Sequence, residues 1–192
     1  MIAIIKYNGG NVNSVQNAVR RLNAESVITD DFDTIRNADH VIFPGVGEAS
    51  STMHNLRERG LDLLIPSLQQ PVLGICLGMQ LMCGSNEEGN TRGMGIFDIP
   101  VKRFPPADIV PHMGWNTVAE VRSHLFAGCE KNNDVYFVHS YYCELSEYTT
   151  SVCDYILPFS ASLQKDNFYA MQFHPEKSGS AGSRLLENFL KL

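Results

Sequence analysis

The sequence predicts an α/β fold on a central, mostly parallel sheet with helices on both faces, and three observations carry that reading. Short β-branched, apolar runs alternate with stretches of helical spacing through the first half. Glycine-rich turns close several of those runs at the point where a helical stretch follows. The second half changes to strand-like runs with a short polar turn, which adds antiparallel strands to the sheet. Length favours one domain, 1–192.

Met1 to Tyr7 reads as a buried strand closed by Asn8-Gly9-Gly10-Asn11. Asn11 or Asn13 then caps a helix whose inner face carries Val15, Ala18, Val19 and Leu22. Ser26 to Thr29 and His40 to Phe43 are further strands, the latter ending at Pro44-Gly45-Val46-Gly47. Leu56 to Leu68 has helical spacing broken at Gly60 and Pro66. Pro71 to Ile75 is an apolar strand, and Leu77 to Cys83 is a helix that follows it with a single residue between. Strands and helices in this order require right-handed crossovers and parallel pairing. Gly84 to about Pro111 is rich in glycine and proline and shows little periodicity. Val135 to Val138, Tyr141 to Leu145, Ser160 to Gln164 and Phe168 to Phe173 read as strands, with Lys165-Asp166-Asn167 as a hairpin turn between the last two. Ala181 to Leu192 is an amphipathic helix.

Composition narrows the function classes. Of 192 residues, 44% are hydrophobic and 19% charged, and the net charge is −6. A chain of this size buries roughly 70% of its unfolded surface, enough for a real core. The acidic balance and lack of a basic stripe argue against nucleic acid or an anionic membrane as partner. Lys6 interrupts the apolar start, and the longest mostly apolar stretch, Val72 to Cys83, is too short to span a bilayer. Five cysteines without close spacing read as reduced thiols of a cytoplasmic protein, four of them buried. No two histidines are three or four apart, so no helical metal site is expected.

The chemistry is concentrated in Leu73-Gly74-Ile75-Cys76-Leu77-Gly78-Met79-Gln80. A strand runs into a helix with one residue at the corner and a glycine two places to each side. This is the form of a nucleophile elbow with cysteine at its tip. Unsatisfied N–H groups at the helix start favour a thiolate. A thiolate that transfers acyl groups needs a base and a group to orient it. His174 and Glu176 supply both, because in extended backbone residues two apart point the same way. Their strand end and the elbow open onto the same sheet edge. The Leu77 N–H supplies one oxyanion donor, and Val46 or Gly47 supplies a second from the turn after the His40 to Phe43 strand.

Gly74-Ile-Cys-Leu-Gly-Met-Gln80 together with Gln172-Phe-His-Pro-Glu-Lys177 resembles the class I (triad) glutamine amidotransferases. Pro111-His-Met-Gly-Trp-Asn116, Tyr136-Phe-Val-His-Ser-Tyr141 and Pro44-Gly-Val-Gly47 resemble, within that family, the glutaminase subunits of imidazole glycerol phosphate synthase. The resemblance runs from Ile4 to the final helix. It implies the three-layer, flavodoxin-like fold of the family and a reaction without metal or cofactor. Glutamine would be hydrolysed through a Cys76 thioester, with His174 and Glu176 completing the triad. The ammonia would pass directly to a (βα)8-barrel cyclase subunit, forming a heterodimer that makes imidazole glycerol phosphate and an aminoimidazole carboxamide ribotide in histidine biosynthesis. By position, Gln80, Glu88, Ser140 and Tyr141 match residues that hold the glutamine. Asn11, His112, Met113, Gly114, Trp115, Asn116 and Lys177 match the partner interface. Lys6 and Asn8 depart from the family's first loop, which carries an acidic residue and a glycine there. Two alternatives remain: a glutaminase of another pathway, such as pyridoxal phosphate synthesis, and a catalytically inactive relative that only binds a partner.

Overall fold

The computed structural model of the protein describes residues 1–7, 11–129 and 133–192. The turn expected at Asn8, Gly9 and Gly10, and with it the departure at Asn8, lies outside the described residues. In chain order the elements are β1 (Ile2–Ile5), α1 (Val12–Arg21), β2 (Ser26–Thr29), α2 (Phe32–Arg36), β3 (His40–Phe43), α3 (Ala49–Glu58), α4 (Leu61–Leu64), β4 (Val72–Ile75) and α5 (Leu77–Met82). There follow β5 (Cys83–Asn86), β6 (Thr91–Arg92), β7 (Phe97–Arg103), β8 (His112–Ala119), β9 (Asn133–His139), β10 (Tyr141–Cys143), β11 (Thr149–Tyr155), β12 (Leu157–Lys165), β13 (Phe168–Met171) and α6 (Gly179–Phe189).

One sheet of nine strands has the order β2-β1-β3-β4-β13-β12-β11-β8-β9. Its first five strands are parallel, and each pairing from β13 outward to β9 is antiparallel. Strand alternation sorts the parallel part into two cores. Ile2, Ile4, Ile42, Leu73 and Ile75 face α1 and α6, while Ala3, Ile5, Val41, Phe43 and Val72 face α3, α4 and α5. The result is the expected three-layer α/β architecture. A second sheet, β10-β7-β5-β6, adds Phe97, Ile99 and Val101 to the α3 and α5 side.

The antiparallel share exceeds the expectation because β8 and β11 are polar strands. Thr149–Tyr155 uses serine and threonine for cross-strand bonds, among them Thr150 to Ser162 and Ser151 to Ser162, both at 2.7 Å. Such runs carry no apolar alternation to read. Within Gly84 to Pro111, β7 does alternate between buried and exposed residues, but Pro100 interrupts the pattern. The helix expected from Leu56 begins at Ala49 instead, because the Glu48 carboxylate accepts from the N–H groups of Ser50 and Ser51 and caps it. Those bonds hold the Glu48 pKa down to about 2. It ends before Gly60, as expected, where φ is 68°.

The C-terminal ends of β1, β3, β4 and β13 lie side by side on one edge of the sheet. Tyr7, the 44–47 turn, Cys76 and the segment 172–176 emerge there, where an open α/β sheet binds ligands.

Candidate active site

Cys76 sits between β4 and α5 at φ 52°, ψ −110°, a region that costs an L-residue on the order of 1–3 kcal/mol. The surroundings impose it: the Cys76 N–H donates to the Met171 carbonyl at 2.8 Å. Gly78 is required by close approach, since a Cβ there would lie 2.0 Å from the Phe43 carbonyl oxygen. α5 has only six residues, so the local N–H groups matter more than any macrodipole.

Glu176 Oε1 lies 2.8 Å from His174 Nδ1, and both side chains are almost wholly buried, at 0% and 1% exposure. A carboxylate can only accept, so Nδ1 carries the proton and Nε2 is the nitrogen turned to Cys76. Burial works against charging His174, but its interactions with Cys76 and Glu176 outweigh that and push its pKa up to about 10. Among the described residues Nε2 closes no hydrogen bond.

Asn11 is tied into this chain. Its Nδ2 donates to Glu176 Oε1, so its side chain does not cap α1, the role the sequence offers to Asn11 or Asn13. Asn11 caps through its backbone in the left-handed region, φ 78°. Half-buried Asn11 thus also holds the carboxylate of Glu176.

The expected oxyanion donors are placed differently. The Leu77 N–H donates to the Gly45 carbonyl at 3.3 Å and is not free. The Tyr7 hydroxyl donates to the Pro44 carbonyl at 2.6 Å and pins the start of the same turn. Val46 is half-buried, and Gly47 is exposed with φ 126°, a conformation that favours glycine. Both line the cavity with Cys76 and Leu77.

That cavity holds about 330 Å³ and is lined by Gln80, Glu88, Ser140 and Tyr141 as well. The four residues expected to hold substrate therefore surround one space beside Cys76. One Glu88 oxygen, Oε2, accepts from the Ala49 N–H at 2.8 Å. Burial, partly offset by that bond and reinforced by Glu48, raises the Glu88 pKa.

The block 112–116 divides. Met113 and Trp115 are exposed at 63% and 58%, and Lys177 Nζ stands 5.7 Å from the centre of the Tyr136 ring that Trp115 meets edge-on. Gly114 lies between them on β8. His112 departs from the interface expectation. It is buried, stacked between Phe137 and Tyr155 with ring centres 4.7 and 4.0 Å away. Asn116 turns inward as well, donating to the Asp154 carbonyl at 3.2 Å with the same Nδ2 that approaches His112 Nε2.

Three polar residues escaped the sequence reading. Gln172 Nε2 lies 3.7 Å from Cys76 Sγ, Asn86 Nδ2 donates to Gln80 Oε1 at 3.2 Å, and His139 meets His112 at 3.0 Å. Gln172 stands two residues before His174 as Glu176 stands two after, a spacing that could have flagged it. Of the other thiols, Cys83, Cys143 and Cys153 are buried as expected, whereas Cys129 is half-buried.

A family model described as glutamine amidotransferase class-I matches residues 3–192. "Imidazole glycerol phosphate synthase subunit HisH" of Bacteroides fragilis (strain YCH46) is 59% identical, over 100% of this chain and 99% of its own. The protein of the same description from Pasteurella multocida (strain Pm70) is 46% identical, over 99% and 97%. Among solved structures, one of a glutamine amidotransferase aligns with a TM-score of 0.75 at 18% identity, covering 99% of this chain and 97% of that one. At that identity it speaks for the fold alone. The chain belongs to the class I glutamine amidotransferase family and, within it, to the HisH subunits of imidazole glycerol phosphate synthase.

Proposed function

We propose that this chain, as one amidotransferase domain over 1–192, hydrolyses glutamine at Cys76 and hands the ammonia to a (βα)8-barrel cyclase subunit in a cytoplasmic heterodimer. The observation that carries the reading is the buried His174–Glu176 pair coupled to Cys76, which itself stands in the wall of a cavity that also presents Gln80, Glu88, Ser140 and Tyr141. Glu88 offers a carboxylate to the ammonium of a zwitterionic substrate. Cys76 Sγ attacks the side-chain amide carbon, and the C–N bond breaks as His174 gives its proton to the departing nitrogen. Ammonia leaves and a γ-glutamyl thioester remains. Water then attacks the thioester, losing a proton to His174, and glutamate and the thiol are released. Glu176 keeps the imidazole in one orientation throughout.

Bulk water protonates free ammonia, so an acceptor has to be docked nearby. The exposed Met113 and Trp115 give the face that meets such a partner. Reduced thiols suit a reducing compartment, and no described helix is long and apolar enough to cross a membrane.

The test mixes the chain with its cyclase partner. Cys76→Ser is expected to abolish synthesis from glutamine while synthesis from added ammonium salt continues. Loss of both reactions would make Cys76 structural and overturn the division of labour.

A further inference from the structure

Behind the cavity wall, four side chains form a directed chain of hydrogen bonds that ends on the nucleophile. Asn86, Gln80 and Gln172 are 2%, 4% and 0% exposed, so water does not compete for these bonds. A side-chain amide can turn either end toward a neighbour. Here backbone groups remove that choice. The Glu88 N–H donates to Asn86 Oδ1 at 2.8 Å, which leaves the Asn86 NH2 to donate to Gln80 Oε1 at 3.2 Å. The Tyr141 carbonyl accepts from Gln80 Nε2 at 3.0 Å, and the same nitrogen donates to Gln172 Oε1 at 3.0 Å. The Gln172 carbonyl is thereby committed, and its NH2 is the end that faces Cys76 Sγ at 3.7 Å.

An N–H aimed at sulfur favours the thiolate over the thiol. The Val138 carbonyl, 3.9 Å from the same sulfur, can only accept and suits the thiol. Ionisation thus trades one contact for the other, and Gln172 is the group that remains engaged.

We propose that Gln172 is a further catalytic residue, its amide N–H holding the Cys76 thiolate, and that Gln80 and Asn86 are positioning residues that keep this N–H turned to the sulfur. The inference rests on the glutaminase reading and deepens it. It also limits what Gln80 does with substrate. Both Gln80 hydrogens are spent, so toward glutamine it offers only the remaining lone pair of Oε1.

The test follows alkylation of Cys76 by iodoacetamide in the full-length chain across pH, with the Cys76 peptide quantified by mass spectrometry. Gln172→Met keeps the shape and removes the donor. Its alkylation at neutral pH is expected to fall by about tenfold, the worth of one hydrogen bond to a charged group. The acid limb should move to higher pH, with the alkaline plateau unchanged. Gln172→Glu, which sets a carboxylate against the sulfur, should move the limb further. Asn86→Ala touches no sulfur and should give a smaller shift in the same direction, because the amides regain freedom to turn. A purely structural role would lower the unfolding midpoint and leave the limb in place. An unmoved limb in folded Gln172→Met overturns the proposal, and if that variant does not fold, an unmoved limb in Asn86→Ala does so. Glutamate release by the unmodified chain with its partner is read separately. Its absence beside a responsive limb would count against the glutaminase reading and leave the amide chain standing.

Discussion

His174 is an imidazole in a dry pocket, charged because its neighbours stabilise the charge more than burial opposes it. In the proposed mechanism it carries the proton, whereas Glu176 only orients it. His174→Ala is therefore expected to lower turnover by roughly 10²- to 10⁴-fold, and Glu176→Gln by clearly less, read as glutamate release in the presence of the partner. Turnover equal to the parent in Glu176→Gln would remove the carboxylate from the site. The same charge marks stability. A histidine lifted from 6.5 to about 10 adds stability that is complete below pH 6.5 and lost as pH rises through about 10. Denaturation midpoints of the parent should fall across that window, and those of His174→Ala should fall less. A parallel decline in both would show that His174 is not charged in the fold.

The crossing of β3 over the start of α5 is the element-scale contact on which the elbow depends. With 2.0 Å between a methyl placed at Gly78 and the Phe43 carbonyl, Gly78→Ala forces strand and helix apart. Its cost should be about 3 kcal/mol or more, a severe case for one added methyl, and chemical denaturation measures it. A loss under about 1 kcal/mol would mean that the elbow relaxes easily. A change of state in the 44–47 turn beside it is the expected route to an oxyanion donor. Its Gly45 carbonyl occupies the Leu77 N–H, while glycines at 45 and 47 permit another orientation of the peptides between them. One missing oxyanion donor costs about 10²- to 10³-fold in rate. The chain alone is therefore expected to release glutamate slowly, and the barrel subunit loaded with its nucleotide ligand to accelerate it by about that factor. Equal rates alone, with the barrel and with the loaded barrel would exclude such a change. Trp115→Ala and Lys177→Ala are the clean interface variants, because both side chains are exposed, whereas Asn116 supports the interior.

Across the whole molecule, acid should act through the buried histidine pair. Burial holds His112 at about 4. Burial, partly offset by the bond to the Tyr141 carbonyl and helped by the charges of His112 and His174, holds His139 at about 3. Both are neutral in the fold, and their ring nitrogens are 3.0 Å apart. The stability from keeping them neutral is complete above pH 6.5 and is lost as pH falls toward 4 and 3. Unfolding should become easier by at least roughly 3 kcal/mol between neutral pH and about pH 4.5. His139→Gln, which can keep the bond to Tyr141, should reduce that acid sensitivity. An unchanged slope would place the acid response on other groups.

The parallel half of the sheet, the corner at Cys76 and the pairing of His174 with Glu176 were legible in the order of residues alone. Each of these depends on residues within a few places of one another, where periodicity, chain stiffness and glycine spacing act directly. The bounds of β2 and β3 could be read for the same reason, since their apolar runs end at turns. How the remaining polar groups are used depends instead on the assembled fold. Asn11 and Glu176 are 165 positions apart, and Gln172 and Cys76 are 96 apart. Their bonds follow from which donors and acceptors stay unpaired once β4 and β13 lie together, and no local pattern encodes that. The same cause hid β8 and β11, whose polar residues are satisfied across strands, and turned His112 from the surface into an aromatic stack. Local chain physics wrote the catalytic corner, and the pairing of distant strands chose the company it keeps.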